Sequence, residues 1–210
     1  MLVTLPQMAA FLAAAMLITL SPGPDNLMVL SQGISRGRRQ GMAFGLGCAL
    51  GCLNHTLLAA LGVSALIAAS PPAFAALKLA GGAYLVYLGW GAIRSPGASF
   101  QADGAAGHQG SLAATFRRGL IANAINPKVV LFFLAFLPQF VNPAQGPVGL
   151  QTAVLGTLFT LQGAAIFGAL GYFSGHVGQW LARSRKASQW LDRAAGAIFI
   201  SLGLRLILAR

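Results

Sequence analysis

Acidic residues are almost missing from this chain. Its 210 residues include three, Asp25, Asp103 and Asp192, and no glutamate, against fourteen lysines and arginines. Charged residues make up 8% of the total, where a soluble domain carries about a quarter, so a solvated globular surface is excluded. The basic excess gives a pI near 11.4 but no case for nucleic acid. The lysines and arginines sit in short gaps between long apolar runs, not on a polar domain. Cysteine is scarce as well. Cys48 and Cys52 lie four residues apart in one apolar run, on one face of one helix. A membrane thiol–disulfide carrier needs thiols on separate helices, so these two are read as small packing residues. There is no nucleophile–histidine–acid constellation, no phosphate loop and no clustered metal-ligand motif. No enzyme activity, cofactor or metal is therefore expected. His108 and His176 fall in or near polar gaps and read as solvated. The first apolar stretch lacks a basic flank and a small-residue cleavage site, so it reads as a membrane helix and not as a removable signal.

What the chain has instead is long apolar runs, with 56% hydrophobic residues and a mean hydropathy of +0.72. A span takes about 20 apolar residues. Six candidates follow, at residues 5–31, 41–69, 73–93, 120–141, 149–173 and 190–208. The first two exceed a bare span, which predicts tilts or breaks. Residues 95–115 form a polar stretch rich in Gly, Ala, Ser and Gln, read as a flexible linker between residues 1–94 and 116–210. Ten of the fourteen basic residues fall in alternate gaps: Arg36, Arg38, Arg39, Arg94, Arg117, Arg118, Arg183, Arg185, Lys186 and Arg193. The positive-inside bias then puts both termini outside and the linker in the cytoplasm. Trp90, Trp180 and Trp190 mark the same boundary as interfacial anchors. Lys78 and Arg205, near the outer helix ends, read as snorkelling side chains.

The two halves resemble each other. Residues 77–94 (LKLAGGAYLVYLGWGAIR) and 191–208 (LDRAAGAIFISLGLRLIL) match at seven of eighteen positions without a gap. Three helices per half make the second half inverted relative to the first. The expected fold is therefore an all-α integral membrane protein of six transmembrane helices, built as two inverted three-helix repeats. In transporters with this plan the binding site lies near the midplane, between the repeats.

The corresponding first and fourth helices are both interrupted. Ser21-Pro22-Gly23-Pro24-Asp25-Asn26 breaks the first, and Asn126-Pro127-Lys128 the fourth. Proline removes a backbone donor and favours the first position of a new helical segment, so Pro22, Pro24 and Pro127 mark the breaks. Gly23 or Ser21 can cap one new segment and Asn126 the other. Two helix N-termini would converge at the midplane, a setting that favours a carboxylate. A charge follows each break at once, Asp25 in one half and Lys128 in the other. An intramembrane charge is costly and is read as functional by default. The alternative for this pair is a structural clamp between helices.

Asn54, His55 and Thr56 form a polar cluster in the second helix, and Gln162 occupies a similar place in the fifth. Asn54, His55 and Gln162 are candidate substrate or proton ligands, with interhelical hydrogen bonding as the alternative. Gly41, Gly45, Gly47 and Gly51 line the second helix at small-residue spacing. Close packing within the chain is favoured there over a homo-oligomer interface.

Ser21–Gly51 (SPGPDNLMVLSQGISRGRRQGMAFGLGCALG) closely resembles the front half of the LysE/RhtB family of bacterial amino-acid exporters, named for lysine export and homoserine–threonine resistance. FRRGLIANAINPKVVLFFLAFLPQFV (residues 116–141) resembles the hallmark of its second half, and GGAYLVYLGWGAIR (81–94) fits the end of its third helix. The likeness covers nearly the whole chain. It implies a carrier in the cytoplasmic, inner membrane that exports amino acids or their derivatives and is coupled to protons. Its key positions would be Pro22, Gly23, Pro24, Asp25, Asn126, Pro127 and Lys128.

The expected mechanism pairs Asp25 with Lys128 in the empty carrier. A zwitterionic solute then replaces the pair, its ammonium on Asp25 and its carboxylate on Lys128. Export of an inorganic cation is the rival within transport, but Asp25 alone offers too few hard ligands. An assembly subunit without transport would not need two charged breaks at matched positions.

Overall fold

The computed structural model describes residues 2–21, 23–63, 70–96, 111–183 and 185–208. Pro22, residues 64–69 of the second expected span and most of the 95–115 linker lie outside them. The described residues are about 90% helical with no strand among them, and the chain is an all-α membrane protein. The elements are α1 (Leu5–Leu20), α2 (Pro24–Arg36), α3 (Arg38–Leu58), α4 (Pro71–Ile93), α5 (Leu112–Ala124), α6 (Pro127–Leu131), α7 (Val148–Tyr172), α8 (Ser174–Arg183) and α9 (Arg185–Leu208). A π-helical turn, Ala59–Val63, prolongs α3, and Phe132–Phe136 prolongs α6 in the same way before a short 3-10 turn, Leu137–Phe140.

Among the described residues, Arg38–Gly62, Pro72–Ile93 and Val148–Tyr172 are each long and apolar enough to cross a membrane. Leu5–Leu20 with Pro24–Arg36, and Leu112–Ala124 with Pro127–Phe140, are two further spans if each bent pair counts as one. The bends measure 55° and 52°, at the two proline breaks expected from sequence. α9 has 24 residues, enough for about 36 Å. Lys186, Asp192 and Arg193 occupy its first turns and Arg205 its last, leaving an uncharged centre at 194–204. Leu20, Leu57, Leu161 and Trp190 are all more than half exposed, as side chains facing lipid are.

One element was not expected. The gap after α7 contains α8, a short amphipathic helix lying on α2, where Gly33 meets Ser174 and Gly178 meets Ile34.

The helices pack through small residues because apolar side chains gain nothing from leaving lipid, so backbones must come close. The glycines of α3 serve this purpose inside the chain. Gly41 meets Gly171 and Gly45 meets Phe167 on α7, while Gly47 and Gly51 meet Phe116 and Asn123 on α5. α4 and α9 cross antiparallel on a second set. A Cβ at Gly89 would lie 2.6 Å from the Gly196 carbonyl oxygen, and one at Gly196 would lie 2.5 Å from that of Gly89. The same reciprocity joins Gly82 and Gly203, at 2.9 and 2.6 Å. A backbone oxygen cannot swing aside. Gly89→Val is therefore expected to destabilise the protein by about 1–3 kcal/mol. A clear fall in melting temperature of the purified protein in detergent would register it, and an unchanged melt would show that the crossing is loose.

An aromatic cluster of Phe11, Phe132, Phe133, Phe136, Phe140 and Phe159 fills the core around the end of α6. It stacks the α6 segment against α1 and α7 and carries Phe133 to within 5.7 Å of the His55 ring.

Candidate functional site

The two breaks meet in the interior. α1 ends at Leu20, and its last carbonyls have no partners within the helix. Side chains from the opposite break and from α2 satisfy them. Lys128 Nζ donates to Ile18 O and to Ser21 O, both at 3.2 Å. Asn26 Nδ2 donates to Thr19 O at 2.8 Å. A cation at a helix C-terminus also meets the negative end of the helix dipole. Lys128 thereby docks the second half of the chain onto the broken end of α1.

Asp25 sits in the first turn of α2, where the dipole favours a carboxylate. It is 2% exposed and Lys128 is 6% exposed. Asp25 Oδ2 accepts from Asn123 Nδ2 at 2.8 Å, and Oδ1 has no hydrogen-bond partner. Asp25 and Lys128 therefore form no direct ion pair, in contrast to the resting pair expected from sequence. The reason is local: the orphaned carbonyls of α1 take up the ammonium, and Asn123 takes up the carboxylate.

Asn123 was not among the residues singled out from sequence, and it joins three helices. Besides holding Asp25, its side-chain oxygen accepts from Cys52 Sγ at 3.5 Å, and its backbone carbonyl pairs with His55 Nε2 at 3.1 Å. Its signal was one amide in an apolar stretch, three residues before the Asn-Pro-Lys motif.

The other expected residues divide clearly. Asn126 is the N-cap of α6, with Oδ1 accepting from Lys128 N at 3.0 Å, and its Nδ2 is buried without a partner. Gly23 is the N-cap of α2 in an extended conformation and lies against Lys128; a Cβ there would sit 2.8 Å from Nζ. Pro24 and Pro127 occupy the first positions of α2 and α6, as expected. His55 is buried against the site. Gln162 reaches it by donating to Thr19 Oγ1 at 2.8 Å, and its Oε1 has no partner. Asn54 does not belong here. It is exposed, because the neighbouring His55 takes the inward face of α3 and successive helical residues point about 100° apart.

The site is thus a buried polar core around two broken helices. Ser21 Oγ, Asp25 Oδ1, Asn26 Oδ1, Asn126 Nδ2 and Gln162 Oε1 are all without partners in it. Such groups cost about 1–3 kcal/mol each when unmatched, and five of them gather around the two breaks.

The Cys48 and Cys52 thiols are free, buried and on one helix.

Comparison with known proteins fits this architecture. An uncharacterised membrane protein of Pseudomonas aeruginosa is 33% identical over 206 residues, 95% of this chain and 94% of the relative. A membrane protein of Vibrio cholerae is 32% identical over 205 residues, 96% of each chain. The homoserine/homoserine lactone efflux protein of Salmonella typhimurium is 30% identical over 202 residues, again 96% of each. No solved structure matches. The family model for the LysE type translocator covers residues 16–210, and the chain belongs to that family.

Proposed function

We propose that this chain is a secondary carrier in the bacterial cytoplasmic membrane that exports small amino-acid-type solutes bearing an ammonium group, in exchange for protons. The observation that carries the reading is the Asp25 carboxylate, buried beside a broken helix with Oδ1 unmatched. A solute ammonium supplies the missing partner. The Salmonella typhimurium relative is named for efflux of homoserine and homoserine lactone. Those two solutes share an α-ammonium group, and the lactone has no carboxylate. A site that serves both must recognise the ammonium, which calls for an acid. Two donors of Lys128 are engaged by Ile18 O and Ser21 O, so its role in this reading is to position the break and offset the charge of Asp25. Ser21, Asn26, Asn126 and Gln162 serve the solute's remaining polar atoms.

α9 is the sixth span in this reading, and alternating access opens the site between the broken helices to one side or the other. The reciprocal crossing of α4 and α9 supports the repeat. Gly82 aligns with Gly196 and Gly89 with Gly203, while Gly82 touches Gly203 and Gly89 touches Gly196. Two related helices crossing on a two-fold axis meet in that way. A proton exchanging with the ammonium on Asp25 provides the coupling.

Counterflow of labelled L-homoserine and L-homoserine lactone into proteoliposomes containing only this protein tests the function. Exchange above empty vesicles is expected for both, and none across a panel of ammonium-bearing amino-acid derivatives would defeat it. Topology is tested separately. A tag in the 95–115 linker is expected to react only after permeabilisation, and a tag at the C-terminus on intact cells. A linker tag labelled from outside would overturn the orientation and the inverted repeat together.

A further inference from the structure

A pocket of about 550 Å³ opens beside the break, at the end of the bundle where α4 finishes and α9 begins. Gly23, Pro24, Leu27 and Met28 form one wall, and Ser95 and Asp192 another. Its volume is that of a small-molecule site. Asp192 is 8% exposed, and its Oδ2 accepts from Ser95 Oγ at 2.7 Å. The nearby Arg94 guanidinium stacks on the Trp90 ring, 4.4 Å from its centroid. Gly23 lines the pocket and also borders Lys128, since a Cβ on Gly23 would lie 2.8 Å from Nζ.

A second pocket, of about 600 Å³, lies at the opposite end of the same two helices. Lys78 and Arg205 line it, together with Gln7 and Phe74. The internal repeat matches Lys78 with Asp192, and Arg205 with Gly91, which lines the first pocket. At one matched position the two pockets therefore carry opposite charge, Lys78 against Asp192. Among the basic residues that share its end of the bundle, the first pocket offers one buried carboxylate to a cationic group, and the second is lined by two basic side chains.

We propose that the Asp192 pocket is the site where the exported solute first docks from the cytoplasm, with its ammonium on Asp192 held in place by Ser95, before it passes Gly23 to the broken helices. This rests on the export reading above.

The test is cysteine modification, which needs no transport. Met28→Cys places a thiol on the pocket wall, while the native Cys48 and Cys52 stay buried. Inverted membrane vesicles are treated with impermeant cationic or anionic methanethiosulfonates, and each rate is divided by that of a free thiol. With Asp192 present, the cationic reagent is expected to be favoured about tenfold or more, as a charged cleft concentrates counter-ions. Asp192→Asn should bring the ratio close to one, and Asp192→Glu should keep it. L-homoserine should slow the modification with Asp192 and not with Asn. In the unaltered Asp192 background the preference should also fade as salt rises, which covers failure of the Asn variant to accumulate. A ratio indifferent to Asp192→Asn or to salt, or a thiol reached only from the opposite side, overturns the proposal. A charge-dependent, homoserine-protected thiol in a protein with no homoserine counterflow would instead defeat the export reading and leave the cationic docking site standing.

Discussion

Solute exchange by the Asp25→Asn variant is expected to fall about a hundredfold while the protein still reaches the membrane. Asparagine keeps the size of the side chain and can still face the Asn123 amide, so the helix contact at α5 survives in weakened form. What is lost is the charge that answers an ammonium. A hydrogen bond between two ionised groups contributes about 3 kcal/mol, which corresponds to roughly a hundredfold in affinity. Insertion should not suffer, since a neutral side chain at the bilayer centre avoids a cost of about 2.5–3.5 kcal/mol on insertion scales. Counterflow normalised to the amount of folded protein measures the first effect, and gel filtration in detergent checks the second. Near-normal exchange by Asp25→Asn would remove Asp25 from the binding site and leave His55, Gln162 and the amides as the remaining candidates.

The breaks in this fold were legible because proline acts on its own backbone. Pro24 and Pro127 each begin a new helix, and the bends fall where they stand. Asn126 was legible for a similar reason, as a cap acts within three residues of itself. What the sequence could not supply is the partner across the bundle. Asp25 and Lys128 look like a pair because they are opposite charges at matched positions. Which atoms they meet depends on how α1 ends and on which face Asn123 presents. Asn54 and His55 pose the same difficulty on a smaller scale. Both are polar and adjacent, and only the rotation of α3 against α5 decides that His55 turns inward. α8 is not legible in the sequence because its ten residues are too few for a span and its one arginine, Arg183, groups with Arg185 and Lys186 as a basic loop.

The glycines carried more information than their spacing alone conveyed. A stripe on α3 is compatible with a partner helix from any source. The contacts assign Gly41 and Gly45 to α7, and Gly47 and Gly51 to α5. α3 is thus sandwiched between helices of the second half, and so is α4 against α9. Each of the longer helices of one half packs on the other half, which leaves the broken α1–α2 and α5–α6 pairs to close the site between them. In such an arrangement the rigid helix crossings lie away from the broken segments, where backbone hydrogen bonds are fewest and motion costs least.

Lys128→Met is the second large expected effect, and its pattern matters more than its size. Methionine fills most of the lysine volume but cannot donate to Ile18 O or Ser21 O, so the end of α1 loses the group that docks it. Two bonds from an ammonium, at about 1.5–3 kcal/mol each, are offset in part because a buried charge no longer has to be desolvated. The protein should therefore remain folded, with exchange reduced about tenfold to a hundredfold by the misplaced break. If Lys128 acts by positioning, homoserine and its lactone lose exchange by the same factor. If Lys128 instead meets the carboxylate, homoserine suffers and the lactone, which has none, is spared. The measurement is counterflow of the two solutes, side by side, in wild type and Lys128→Met. Equal losses are expected from where Nζ lies, on the carbonyls of α1. A selective loss of homoserine would mean that Nζ turns a donor to the solute carboxylate and is a substrate ligand after all.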